Sequence, residues 1–480
     1  MENAPSVRLA YLVSHPIQYQ APLLRRIARE PGIDLTVLFG SDFSVRSYRD
    51  EGFGRDVAWD TPLLDGYRSA FLPSVRDTGA LSLASPISRG IYSALRRLQP
   101  DALWVHGYAS INALHGILAA NALGIPVLLR AESWLADRPR SPLTLALKNL
   151  FFAALGHAVD AVLPIGTVNA AYWTHYLPHT PQFLMPYAVD NDYFASRADA
   201  ARPHTADLRT SLGLAPDRPV ILFASKLQPR KHADHLLHAF QAFLTSNPGA
   251  PFPSLGAPFI ARSWRDEWET TTPRAASNLP QLLFVGDGES RPALESLTAA
   301  LGLTDHVRFA GFRNQSELPG LFALADVFVL PSRHEPWGLI VNEAMASGCP
   351  VIVSSDVGCH PDLVPTNSQG GPFMRGSIAH EWGTTDVSRT TAQGGPFIAR
   401  SLRDAWGTID PTPADAPAGL VYPVGDIPAL TAALRRIFAA PETAQQMGLA
   451  ARRRIATWGF DQDIAGLRSA LAHTTAKLRL

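Results

Sequence analysis

Lysine is nearly missing from this chain of 480 residues: Lys148, Lys226, Lys231 and Lys477 are all there are, and two of them share one six-residue stretch. Cysteine is scarcer still. Cys349 and Cys359 form neither a disulfide framework nor a metal-ligand spacing, which suits a reducing compartment. Net charge is zero, with 42 basic and 42 acidic residues, so the broad electrostatic footprint of a nucleic-acid binder is excluded while a local basic pocket is not. The stretch Met1 to Val13 has no basic region followed by an apolar run, and no secretory signal is read there. The most apolar stretch, Leu143 to Val162, is interrupted by Lys148, His157 and Asp160. It reads as a core helix, with a membrane-surface helix as the lesser alternative, and not as a bilayer span. A cytoplasmic protein is expected, at most at the inner face of the membrane. No acidic metal-binding cluster stands out, so neither metal nor cofactor is expected.

What is present is apolar: 46% hydrophobic and 18% charged residues mark a folded chain, and its length calls for two domains. The first half alternates short apolar runs (RLAYLVS from Arg8, DALWVH from Asp101, Pro126 to Arg130) with helical patterns such as Ala21 to Glu30 and Ile111 to Leu123. Alternation without hairpin turns implies a parallel sheet covered on both faces. The pattern restarts at Pro219 to Ala224 and continues through Gln281 to Gly286, His306 to Ala310, Asp326 to Leu330 and Pro350 to Ser354. The resulting division is an N-terminal domain over residues 1–195, joined by a C-terminal helix over 460–480, a linker over 196–218 rich in Ala, Arg, Asp and Pro, and a C-terminal domain over 219–459. Two doubly wound domains would face each other across a cleft, with ligands at the carboxyl ends of the strands. An uneven internal repeat breaks the second half. Gly256 to Arg274 matches Gly394 to Thr412 at twelve of nineteen positions, with a weaker copy from Gly370. These read as surface insertions near 250–278 and 366–416, since lengthening a loop costs little entropy.

The chemistry concentrates in DVFVLPSRHEPWGLIVNEAMASGCPVIVSS, Asp326 to Ser355. A strand ends near Pro331, a short loop carries Glu335, Pro336 and Trp337, and a helix starts near Gly338 and stops at Gly348 before Pro350. The first turn of that helix has unpaired N–H groups, and Gly338 lets a diphosphate reach them. Glu335 precedes the helix and can face the cleft, while Glu343 in its second turn can accept both hydrogen bonds of a ribose diol. Taken singly, two such glutamates are more often a capping acid and a solvated helix acid. The second segment, FASKLQPRKHAD from Phe223 to Asp234, aims Lys226 and Lys231 into the cleft from one loop, where two cations would neutralise a departing diphosphate. Third, VGDGESRPALESL from Val285 is a strand, a tight turn and a helix, with Gly286 and Gly288 permitting close approach of backbone to ligand.

With these motifs in place the chain resembles a retaining glycosyltransferase of family 4, of GT-B fold: an α/β chain with two Rossmann-like doubly wound domains facing across a cleft. The match extends over most of the chain outside the insertions and is most specific from Leu282 to Pro361. The resemblance implies that Glu335 contacts the donor sugar, Glu343 holds the ribose, and the amides of Gly338 and Leu339 after Trp337 hold the phosphates. Lys231 matches the family's lysine. Lys226 stands where arginine is usual, so a point charge replaces a bidentate fork, and His232 replaces a usual glycine. RFAGFRN, Arg308 to Asn314, resembles the segment that meets the base, which adds Arg313 to the donor site. His106, ending a strand, falls where the family often has a histidine near the donor sugar, although a lone histidine is more often structural. The loop Ser14 to Leu23 carries His15, Gln18 and Tyr19 in place of a glycine-rich turn. With Glu132, beside Arg130, these are the candidates for acceptor contact, and packing is the competing explanation.

The expected reaction moves a sugar from a nucleoside-diphosphate sugar to a glycan or lipid-linked acceptor, in cell-surface polysaccharide or glycoconjugate synthesis, with retention. Glu335, His106, Lys231 and Lys226 would act at the reacting centre. A nucleotide-sugar 2-epimerase and an inactive sugar-nucleotide-binding protein are the rivals.

Overall fold

A computed structural model of the chain describes residues 6–135, 141–245, 279–365 and 417–476. The repeat segments near 250–278 and 366–416, Lys477 and the end of the C-terminal helix lie outside them. In chain order the N-terminal strands are β1 (Val7–Val13), β2 (Ile33–Phe39), β3 (Tyr48–Asp50), β4 (Arg55–Val57), β5 (Arg68–Phe71), β6 (Ser74–Arg76), β7 (Ile87–Ser88), β8 (Ala102–His106), β9 (Val127–Arg130) and β10 (Ala161–Val162). The C-terminal strands are β11 (Val220–Ala224), β12 (Gln281–Val285), β13 (Val307–Gly311), β14 (Val327–Leu330), β15 (Val351–Ser354) and β16 (Gly419–Tyr422).

Two six-stranded sheets result, ordered β10-β9-β8-β1-β2-β5 and β13-β12-β11-β14-β15-β16. Every pairing within them is parallel; β1, for example, sets Leu9 beside Leu35 on one side and Ala102 on the other. Each strand divides its side chains between two cores by the period of two. From β1, Ala10 and Leu12 enter one core, and Leu9, Tyr11 and Val13 the other. From β11, Val220, Leu222 and Ala224 point to one face, and Ile221 and Phe223 to the opposite face. Continuous apolar runs are what a sheet buried on both faces requires.

Two features depart from the pattern read in the sequence. The segment 196–218 is mostly helical, in Asn191–Ala201 and Thr205–Ser211. Its alanines favour helix, and Pro203 sits in a 3-10 turn between the two helices, where its missing N–H costs little. Hairpins do occur: β3 pairs with β4 and β6 with β7, both antiparallel and only two or three residues long. The β3–β4 hairpin reaches the C-terminal domain. There Phe53 meets Phe312 edge to face at 4.9 Å, and Asn314 Nδ2 donates to the Ala58 carbonyl at 2.8 Å.

The helix Phe460–Ala476 returns to the N-terminal domain, placing Ile464, Leu467, Ala470 and Leu471 in the core that holds Leu9 and Tyr11. The chain therefore crosses between the domains twice, after Tyr187 and after Trp458. The crossings are tied together, because Trp458 Nε1 donates to the Tyr187 carbonyl at 3.1 Å and Asn191 Nδ2 to the Ile455 carbonyl at 2.9 Å.

Candidate active site

The loop after β14 brings Glu335, Pro336 and Trp337 to the domain gap. Gly338, in the left-handed region at φ +94°, starts the helix Leu339–Ala346. Gly348, also left-handed, ends the helical turn before Pro350. A chamber of about 320 Å³ opens against this helix tip, with Glu335, Trp337, Gly338, Leu339, Ile340 and Glu343 on its wall together with Gly286, Phe312 and Arg313. The opposite wall comes from the N-terminal domain: Gln18, Tyr19, Phe53, Trp59, Glu132 and Tyr187.

Glu343 is the most unusual group on this wall. It is 7% exposed, one carboxylate oxygen has no partner, and burial alone pushes its carboxyl up to about 8. Neighbouring Asn342 turns the other way, accepting from Trp337 Nε1 at 3.0 Å and donating to the Tyr187 carbonyl at 2.9 Å. Trp337 stacks on Trp458 with centroids 5.6 Å apart, so it packs the hinge while its edge lines the chamber.

Neither lysine lines this chamber: Lys231 reaches its wall only through Glu335, and Lys226 lines a neighbouring chamber. Lys231 is 6% exposed and pairs with Glu335, and Arg230 approaches the same carboxylate at 3.3 Å. Burial pulls the Lys231 ammonium down, and the Glu335 charge opposes this. Lys226 Nζ instead lies 2.8 and 2.9 Å from the two Asp50 oxygens and 4.7 Å over the Phe53 ring. A counter-ion and an aromatic face from the β3–β4 hairpin of the N-terminal domain thus hold it. His232 occupies a left-handed position at φ +48°, the conformation that favours the glycine it replaces. With Asp234 and His235 it forms the one group among the described residues that could hold a metal ion, and none of the three lines a chamber described here.

Close approach of neighbouring backbone requires glycine at both positions after β12. Gly286, at φ +122°, abuts the Ser225 carbonyl. At Gly288, φ +152°, an added Cβ would stand 2.5 Å from the Leu227 oxygen and 2.9 Å from the Gly52 oxygen. Crossing chain segments fix both glycines, and only Gly286 lines the chamber.

On the N-terminal wall Glu132 accepts from the Tyr19 hydroxyl at 3.1 Å and from the Tyr187 hydroxyl. Burial pushes its carboxyl up, but His106, Tyr187 and Tyr19 outweigh that and hold it below the usual range. His106 sits behind it, 3.8 Å from Glu132 and 3.2 Å from Gln20 Nε2, off the chamber wall. Arg130 is fully buried and structural. It donates to the Met185 and Pro186 carbonyls at 2.9 Å and pairs with Asp463 at 3.3 Å. His15 stacks on Phe43 at 4.4 Å in a neighbouring chamber, and burial pushes its imidazole down to about 4.

Two residues outside the sequence candidates matter here. Tyr187 joins Glu132, Asn342 and Trp458, and so touches both walls and the hinge. Asp362 of the C-terminal domain caps an N-terminal helix: Thr167 donates its N–H at 2.9 Å and its hydroxyl at 2.5 Å to this carboxylate.

Two doubly wound domains with a chamber at the carboxyl ends of their strands constitute the GT-B arrangement, and the fold of this chain is GT-B. The family model described as Glycosyl transferases group 1 matches residues 274–376, in the C-terminal domain. An uncharacterized glycosyltransferase of Methanocaldococcus jannaschii is 32% identical over 31% of this chain and 30% of its own length. The GDP-mannose-dependent alpha-(1-6)-phosphatidylinositol monomannoside mannosyltransferase of Mycobacterium tuberculosis is 32% identical over 45% of this chain and 49% of its own. The match spans 30% of the first of these relatives and about half of the second. In fold, the chain is similar to sucrose-phosphate synthase from Thermosynechococcus elongatus, at TM-score 0.59 and 17% identity over 99% of this chain and 100% of that one. It is also similar to Anabaena HepE in complex with UDP, at TM-score 0.59 and 13% identity over 97% and 99%.

Proposed function

We propose that this protein is a retaining glycosyltransferase that moves a sugar from a nucleoside-diphosphate sugar to a glycan or lipid-linked acceptor without a metal ion. The single observation that carries the reading is Glu343: a buried carboxylate with an unpartnered oxygen on the wall of a chamber that opens on a helix N-terminus. A ribose diol supplies the two donors such a group lacks, and it places the diphosphate at the amides of Gly338 and Leu339. Lys231 and Arg230 do not line the chamber themselves but pair with Glu335 on its wall, and from there lend their charge to the leaving phosphate. The bond from the anomeric carbon to the phosphate oxygen breaks, the acceptor oxygen bonds to that carbon on the same face, and its proton passes to the leaving phosphate. Nothing in the matches favours the epimerase alternative.

The test is a thermal-shift screen of nucleotide sugars. A ligand at a hundred times its Kd adds about 2.7 kcal/mol of stability. Glu343→Ala and Lys231→Ala should each lose that gain, and an unchanged shift in both removes the assignment. Donor binding with neither transfer nor donor hydrolysis would return the inactive binding protein.

We propose further that the protein works in the cytoplasm at the membrane face. No helix among the described residues is long and apolar enough to cross a membrane. The helix Pro142–Gly156, however, exposes Leu143, Leu147 and Leu150, three to four residues apart on one face. Co-sedimentation with anionic vesicles should fall in Leu147→Glu; equal sedimentation refutes this placement.

A further inference from the structure

A second chamber, of about 490 Å³, lies on the N-terminal side of the gap. It is contiguous with the donor-side chamber, because Gln18, Tyr19, Phe53 and Trp59 line both. Its wall is aromatic. Phe43, Tyr48, Phe53 and Trp59 come from the turn Phe43–Val45, the β3–β4 hairpin and the loop after it. Phe43 is held between His15, stacked at 4.4 Å, and Tyr48, edge-on at 5.2 Å.

The charges of this wall balance. Arg49 and Lys226 stand against Asp50 and Glu51, two of each sign, and Lys226 is spent on Asp50. His15, half-buried and with its imidazole pushed down to about 4, adds no positive charge. An anionic acceptor would leave water for a wall with no surplus cation to receive it, at a cost its contacts could not offset. It would also meet aromatic faces, whose negative quadrupole repels anions and attracts polarised C–H groups. A pyranose ring supplies both matching parts, a C–H face for the rings and hydroxyls for the polar rim. Gln18 Oε1 has no partner among the described residues and stands at the seam of the two chambers.

We infer that this chamber takes an uncharged sugar residue of a glycan acceptor, laid against Phe43, Tyr48 and Phe53, and that it excludes phosphorylated or carboxylated sugars. The inference rests on the glycosyltransferase reading above. Its hydroxyl reaches the anomeric carbon at the seam lined by Gln18 and Tyr19.

The experiment uses the full chain with the nucleotide sugar that gives the largest thermal shift. Acceptors are neutral methyl glycosides and oligosaccharides, each paired with its 6-phosphate or uronic acid, and products are read by mass spectrometry. Neutral acceptors should win by tenfold or more in kcat/KM. Phe43→Leu and Tyr48→Leu, which keep bulk and lose the ring, should raise acceptor KM by roughly tenfold while the donor-induced shift persists as proof of folding. Faster transfer to the charged partners, or an unchanged acceptor KM in both variants, overturns the inference and leaves the enzyme reading standing. Absence of any donor shift and any transfer brings down both.

Discussion

Glu343 shows what burial does to a single carboxyl. Its folded pKa of about 8 lies above that of an exposed glutamate, so the folded state holds the proton more tightly than the unfolded one. Its effect on stability is nil below the unfolded value, grows more unfavourable as pH rises, and is complete above about 8. At neutral pH the free protein therefore carries this group protonated. A ribose diol donates two hydrogen bonds and favours the carboxylate, so donor binding near pH 7 should expel about one proton. Calorimetry in two buffers of different protonation enthalpy measures this, and Glu343→Gln should abolish the difference. Tight binding with no buffer dependence would place the diol elsewhere. Glu335 and Glu343 were visible in the sequence through the loop and helix stop around them and through the paired spacing that the resemblance rests on; singly they read as a cap and a solvated helix acid. The diversion of Lys226 to Asp50 was not visible, since the two residues are brought together only by the tertiary fold. Tyr187 was hidden for the same reason, its partners lying 55, 155 and 271 residues away.

Among the elements, the helix Thr167–Tyr176 belongs to one domain and takes its N-terminal cap from the other. Its own N-cap residue is Gly166, which has no side chain to offer. Asp362 fills that role although burial pushes its carboxyl up to about 6. Asp362→Ala should lose about 1–2 kcal/mol in urea unfolding, as cap deletions do, and Asp362→Asn, which keeps an acceptor, should lose less. Equal stability of all three proteins would show that the contact contributes nothing. The long strands were legible in the sequence because their apolar runs are continuous, and the observed ends fall close to the expected ones: β12 spans Gln281–Val285 against an expected Gln281 to Gly286. The hairpins were not legible. β3 reads Tyr-Arg-Asp and β6 reads Ser-Val-Arg, too short and too polar to show a period, and they are held by what they lean on. The helices at 191–211 were missed because arginine, aspartate and proline suggested a linker, while the alanines between them suit a helix.

At the level of the whole molecule, the buried Arg130–Asp463 pair fastens the returning helix to the N-terminal sheet. Asp463→Ala strands a guanidinium that is 1% exposed and should cost about 3–5 kcal/mol. Arg130→Met with Asp463→Leu should recover much of that loss, and a double variant no more stable than the single one would assign the cost to packing. The two covalent crossings, at Tyr187 and at Trp458, are bound side by side by hydrogen bonds. A panel hung on two adjacent hinges can swing, but it can neither slide nor yaw. An opening about these crossings should then reduce to one angle, and it must break the cross-gap contacts Lys226–Asp50, Asn314–Ala58 and Thr167–Asp362. Spin labels placed on several such pairs would trace a single curve.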